Sequence, residues 1–317
     1  MQVYREDPEA IRAELQAGLL ADQPHVLPKY LYDALGARLF EAITELPEYT
    51  PTRQEAEIFD RSMADIVQGL PASACLIDLG AGSCRKAARV IPLLRPVQYL
   101  AVDISVEFMG NCLEALRREF PGLRVEGLGI DFSEGLSVNA IDAMVPQGRP
   151  RVFFYPGSSI GNFHPDEAER FLRGLLIDTS AQALIIGVDM VKPARVLELA
   201  YDDPLGVTAA FNRNMLLHLN RRLGADFAIA DWDHRAVFNT THSRIEMHLV
   251  ARRDLQVQWP GGSRLFVKGD WIHTENSYKY SIESFSALLG RAGYSVAGVF
   301  QDSHKGFAVF VGYPQAV

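Results

Sequence analysis

The strongest constraint on the fold is a change of rhythm at Cys75. From there, short apolar runs alternate with helix-length segments: Cys75-Leu-Ile-Asp-Leu79, Gln98-Tyr-Leu-Ala-Val-Asp103, residues 123–130, Arg151-Val-Phe-Phe-Tyr155 and residues 183–188. A strand with one face in solvent alternates apolar and polar side chains, whereas a continuous apolar run belongs to a strand covered on both faces. Strands of this kind separated by helices predict an α/β fold with a doubly wound, Rossmann-like parallel sheet. A helix over 284–293, followed by apolar runs at 294–300 and 306–312, predicts an antiparallel strand pair closing that sheet.

The flanking regions have a different character. Helical periodicity covers 8–21 and 30–43, and a proline-bearing loop over 46–53 opens into a helix near Thr52. Thr52 and Glu55 have capping-box spacing. Between 190 and 271 the rhythm is a helical region at 196–223 and then strands at 229–238, 244–252 and 264–275. The expected organisation is a sheet domain over 54–190 and 281–317, and a smaller α+β domain over 1–53 and 191–280.

The first apolar strand leads into Gly80-Ala-Gly82, and the second ends on Asp103. Glycines at a strand-to-helix turn let a ligand approach the backbone, and an acid about twenty residues on suits ribose hydroxyls. Read alone, the same residues make a tight turn and a capping acid. Arg85 stands where a dinucleotide fingerprint needs its third glycine, which disfavours nicotinamide and flavin. Asp78 and Asp103 suit the amino acid end and the ribose of S-adenosyl-L-methionine. Asp131-Phe132 adds an acid and an apolar surface for adenine, although Asp131 equally suits a helix cap before Glu134.

Trp271-Ile-His-Thr-Glu-Asn-Ser-Tyr-Lys-Tyr280 carries a second signal. Strand alternation puts Glu275 and Ser277 on one face. A carboxylate and a hydroxyl side by side match the N–H and the bare nitrogen of a neutral imidazole. They equally describe the solvated side of an edge strand.

Other chemistries have no support in the spacing. There is no His-Glu-x-x-His, no paired-cysteine motif and no Gly-x-Ser-x-Gly elbow. His273 lies near Glu275 but without a Pro-Cys-x-x-Cys, and no metal site is expected. The net charge of −8, with no Lys/Arg run longer than two, disfavours nucleic acid as a partner. The three cysteines, Cys75, Cys84 and Cys112, lack metal spacing and are expected to be reduced thiols. No apolar run is long enough for a membrane span, and the opening residues have no signal-peptide core. The expectation is a cytoplasmic monomer.

Several segments then occur in a telling order: Leu46-Pro-Glu-Tyr-Thr-Pro-Thr-Arg53, Tyr155-Pro-Gly-Ser-Ser-Ile-Gly-Asn162, Asp189-Met-Val-Lys192, residues 201–214 ending in Asn212-Arg-Asn214, Arg244-Ile-Glu-Met247 and Glu275-Asn-Ser277. From about Leu27 onward the chain closely resembles the histidine-specific Nα-methyltransferases of ergothioneine biosynthesis. The resemblance implies S-adenosyl-L-methionine at Gly80, Lys86, Asp103, Asp131 and Phe132. It implies L-histidine at Tyr49, Asn162, Tyr201, Glu275 and Ser277, with Met247 lining the side-chain pocket and Tyr32 near the amine. It implies trimethylation of the α-amine to hercynine; since an ammonium has no lone pair, Asn162, or waters held by Tyr32 and Gly161, are expected to orient the neutral amine and pass its proton to solvent. Thr50 departs from the family, which often carries a second tyrosine there. Read singly, Tyr49 and Tyr201 suit half-buried packing, Asn162 a turn and Met247 core filling. A tryptophan-like substrate, or a non-catalytic binding role, is the alternative; Glu275 and Ser277 argue for histidine.

Overall fold

The computed structural model describes residues 1–3, 7–132 and 135–316. In chain order the strands are β1 (Gln2–Val3), β2 (Cys75–Leu79), β3 (Gln98–Asp103), β4 (Arg124–Gly129), β5 (Arg151–Tyr155), β6 (Ala183–Asp189), β7 (Trp232–Asn239), β8 (Arg244–Ala251), β9 (Leu255–Trp259), β10 (Gly262–Phe266), β11 (Trp271–Tyr278), β12 (Tyr294–Gln301) and β13 (Phe307–Pro314). The helices are α1 (Pro8–Leu20), α2 (Ala34–Thr44), α3 (Pro51–Val67), α4 (Arg85–Leu94), α5 (Val106–Glu119), α6 (Val138–Met144), α7 (Pro165–Ile177), α8 (Ala194–Tyr201), α9 (Val207–Leu223) and α10 (Ile282–Ala292). They form two compact units, one built on Pro51–Val191 and Tyr278–Val317 with the first strand, the other on the segment ending at Thr50 and Lys192–Ser277.

The first unit holds an eight-stranded sheet in the order β1-β4-β3-β2-β5-β6-β13-β12. Strands β1 to β6 run parallel, and β13 inserts antiparallel between β6 and β12. Alternate side chains feed two cores, as a period of two requires. Ile77, Leu79, Leu100, Phe153 and Ile186 face one layer with residues of α6, α7 and α10. Leu76, Tyr99, Ala101, Phe154 and Ile185 face the other with residues of α3, α4 and α5. Every residue of β2, β3 and β6 is buried, as the unbroken apolar runs require. The direction of strand succession reverses between β2 and β5, and such a switch point opens a crevice at the carboxyl ends of the strands.

The second unit packs α1, α2, α8 and α9 with a three-stranded antiparallel sheet, β11-β8-β7, and the hairpin β9-β10. Its core includes Leu15, Leu19, Phe211, Met215, Leu219, Trp232, Ile245, Leu249 and Ile272. Here the sequence expectations need correction. The helix expected over 30–43 is a short 3-10 turn, Pro28–Leu31, followed by α2, whose cap is Asp33. The Asp33 carboxylate accepts the Gly36 N–H and starts α2 afresh, and only glycine fits at 36, where a Cβ would lie 1.8 Å from the carbonyl oxygen of Leu31. The helical region over 196–223 is two helices, because the Asp203 carboxylate accepts the N–H groups of Val207 and Thr208 and starts α9 afresh. The strand expected over 264–275 is split at a turn where Asp270 accepts the Val267 N–H, so β10 and β11 lie in different sheets. Strand β9 and helix α6 went unread. Among the described residues, no helix is long and apolar enough to cross a membrane.

Candidate active site

At the crevice of the first unit, the turn after β2 is built from left-handed residues: Gly80 (φ 68°), Gly82 (φ 49°) and Cys84 (φ 56°). Glycine adopts that region without strain. The N–H of Gly80 donates to Val102 O at 2.9 Å, and that of Gly82 to Asp103 Oδ2 at 2.9 Å. The other Asp103 oxygen accepts the Ser105 N–H at 2.7 Å. Asp103 therefore ties the ends of β2 and β3 together, and burial raises its pKa. A Cβ placed on Gly80 would meet nothing nearer than Ser159 Oγ at 4.0 Å, so the turn has an open side.

Asp78 lies below the turn, 1% exposed. Its Oδ2 accepts the Tyr99 hydroxyl at 2.7 Å, while its Oδ1 is buried with no hydrogen-bond partner. Burial pushes its pKa up to about 7. Lys86, in the first turn of α4, reaches Glu55 Oε2 at 2.6 Å. Glu55 Oε1 accepts the Gly157 N–H at 2.8 Å. This corrects the capping-box reading of Thr52 and Glu55. Helix α3 begins at Pro51, and the buried Glu55 carboxylate links α4 to the loop after β5.

That loop passes through Ser158, whose Oγ accepts the Asp189 N–H at 2.8 Å, into a single 3-10 turn, Ser159–Asn162. Asn162 ends this turn, half-buried. After β4, Phe132 packs edge-on to Tyr155 and tilted against Phe171, with centroids 6.0 and 5.9 Å away. Asp131 precedes it in the same loop. The cap proposed before Glu134 lies outside the described residues. Asp189 pairs with Lys279 at 2.8 Å, with side chains 2% and 0% exposed.

In the second unit, an aromatic chain leads to the β11 pair. Tyr32 packs on Phe40 and Phe211, Phe40 on Tyr49, and Tyr49 on Tyr201 with centroids 6.2 Å apart. The Tyr201 hydroxyl is 2.7 Å from Ser277 Oγ. Strand β11 is an edge strand, yet Glu275 and Ser277 are only 6% and 4% exposed. The solvated-edge reading therefore fails. Met247, 1% exposed, sits in the core of this unit, and its carbonyl accepts the Thr274 hydroxyl.

Sequence reasoning missed Glu55, Asp189 and Lys279. Glu55 was visible, but its spacing from Thr52 offered a local partner. Its true partners lie 31 and 102 residues away.

A parallel sheet with a closing antiparallel pair, a glycine turn at its switch point and acids at the ends of β2 and β3 define the class of Rossmann-like methyltransferases. The chain belongs to the family of histidine-specific, S-adenosylmethionine-dependent methyltransferases, whose model matches residues 11–313. It is similar to the histidine N-alpha-methyltransferase of Mycolicibacterium smegmatis, with 36% identity covering 90% of this chain and 89% of that protein. The protein of the same name from Mycobacterium tuberculosis is also 36% identical, over 90% of this chain and 88% of its own. Ergothioneine biosynthesis protein 1 of Neurospora crassa is 30% identical over 86% of this chain, which spans 31% of that longer protein.

Proposed function

We propose that this chain methylates the α-amine of L-histidine three times to give hercynine, the first step of ergothioneine biosynthesis. The observation that carries the substrate assignment is the burial of Glu275 and Ser277 on one strand, with Ser277 held by Tyr201. A carboxylate and a hydroxyl on one face of a strand offer the acceptor and the donor that match the N–H and the bare nitrogen of an imidazole.

The residues of the first unit fit the cofactor. The orphaned Asp78 Oδ1 suits an ammonium, and the open side of Gly80 admits a ligand against the backbone. Asp103 and Asp131 would hold ribose hydroxyls and the adenine end, Phe132 would flank the base, and Lys86 would lie beside the amino acid end. When bound, the cofactor supplies a methyl group on a sulfonium centre. The residues of this chain then position the acceptor nitrogen. Tyr49, Tyr201 and Asn162 would hold the substrate's carboxylate and amine, and Met247 would line the side-chain pocket. The substrate's ammonium would first lose a proton to solvent, and Asn162, with Tyr32, would orient the resulting neutral amine, since only an amine with a lone pair can attack. Glu275 and Ser277 make no bond in this scheme and decide which amino acid is presented. We also propose a cytoplasmic monomer in which the second unit is the substrate-binding domain.

The test is a binding comparison by calorimetry between L-histidine and an isosteric amino acid whose ring has no nitrogen. The analogue is expected to bind at least about 100-fold more weakly, because it leaves buried polar groups unpaired. Equal affinity would remove Glu275 and Ser277 as readers of the ring.

A further inference from the structure

Strands β8 and β11 bring together three donors distinct from the residues assigned above. His248 Nε2 lies 3.3 Å from His273 Nδ1 and 3.6 Å from Glu246 Oε2. One donor atom from each of the three residues falls within 4.8 Å of the others. We propose that Glu246, His248 and His273 form a binding site for a divalent transition metal of the zinc class, clipping β8 to β11.

The distances favour this reading. Nitrogen and oxygen donors about 2.0–2.1 Å from a tetrahedral zinc ion lie roughly 3.3–3.4 Å apart, close to the two separations made by His248, while Glu246 and His273 fall within 4.8 Å and would close on the ion. The carboxylate is already oriented. Its Oε1 accepts Arg244 Nε at 2.8 Å and Asn239 Nδ2 at 2.9 Å, and lies 2.6 Å from Arg244 Nη2, which turns Oε2 toward His248. Outer contacts of this kind fix the direction of metal-binding carboxylates. The His248 ring packs edge-on to Trp271 with centroids 4.2 Å apart, an apolar wall on one side. Two nitrogens and one oxygen suit zinc, cobalt or nickel better than calcium or magnesium, which take oxygen. The Glu246 side chain is 14% exposed, so the cluster is not sealed from solvent.

The arrangement is invisible in the sequence spacing, because Glu246 and His248 come from one strand and His273 from its sheet neighbour. The consequence is mechanical. His273 lies two residues before Glu275, so an ion here would stiffen the strand that carries Glu275 and Ser277. The metal site itself stands independently of the substrate assignment.

The test is a titration of the chelator-treated full chain with Co²⁺ alone, read by visible absorption and by tryptophan fluorescence. One Co²⁺ per chain is expected, with the intense bands of four-coordinate cobalt and quenching at Trp271, both reversed by Zn²⁺. His273→Ala and Glu246→Gln should each weaken binding by at least about tenfold, since even outer-shell partners are worth about 10–100-fold. Zn²⁺ should also raise the thermal midpoint of the native chain but not of the variants. No cobalt spectrum in the native chain, or equal affinity in the native chain and both variants, overturns the site. The native titration decides the matter even if one variant does not fold.

Discussion

At the scale of the residue, the account rests on polar groups taken out of water. Glu275 is 6% exposed, and a buried carboxylate that reads an imidazole makes a charge-assisted bond. Glu275→Ala is predicted to weaken L-histidine binding by about 2–3 kcal/mol in calorimetry; an unchanged affinity would contradict the assignment. Asp78 makes a different prediction. Its pKa is raised from 3.8 to about 7, chiefly by burial. The folded state therefore holds the proton more tightly than the unfolded chain between these values, and stability falls as pH rises through that window. Denaturation of the cofactor-free protein at a series of pH values should show the native chain losing on the order of a few kcal/mol relative to Asp78→Asn between pH 4 and 7. Parallel curves would mean that Asp78 is not strained by its burial. Little of this was visible in the sequence. Asp78 was readable as an acid beside the glycine turn, but its Tyr99 partner and its orphaned oxygen come from tertiary packing.

At the scale of the element, legibility followed the locality of the forces. Strands β2, β3 and β5 were readable to the residue, because burial on both faces makes them apolar throughout. Helix α10 was read two residues late, since its cap Ser281 precedes the apolar periodicity. Elements stopped by side-chain chemistry were read as longer than they are. Asp33 and Asp203 each restart a helix where periodicity ran on, and Asp270 interrupts a strand. Asn212 and Asn214 were quoted as part of a familiar segment. In the structure their amides bind the His248 carbonyl and the Asp33 carboxylate, which anchors α9. The buried Lys279–Asp189 pair joins the end of β6 to the residue just past β11. Removing one member of a buried pair strands the other charge. Lys279→Ala is predicted to cost about 3–5 kcal/mol in denaturant unfolding, and Asp189→Asn combined with Lys279→Met should recover most of that loss. A single variant within about 0.5 kcal/mol of the native chain would show the pair to be incidental.

At the scale of the whole molecule, the fold class was legible because alternating buried strands and helices admit few architectures. The cofactor turn was legible because glycine at positive φ leaves a mark in the sequence. The residues proposed to hold the substrate were legible only as an ordered pattern, since a tyrosine, an asparagine or a methionine taken singly is ordinary core or turn material. Physical reading still added what the pattern lacked: Glu275 and Ser277 are buried, not the exposed pair that an edge strand suggests. The central claim is that this histidine-specific methyltransferase trimethylates free L-histidine. The direct measurement is incubation of the full chain with S-adenosyl-L-methionine and each of the twenty amino acids separately, with products read by mass spectrometry. The account predicts a gain of three methyl groups on histidine and none on the other amino acids. Methylation of another amino acid in preference to histidine, or of none, would contradict it.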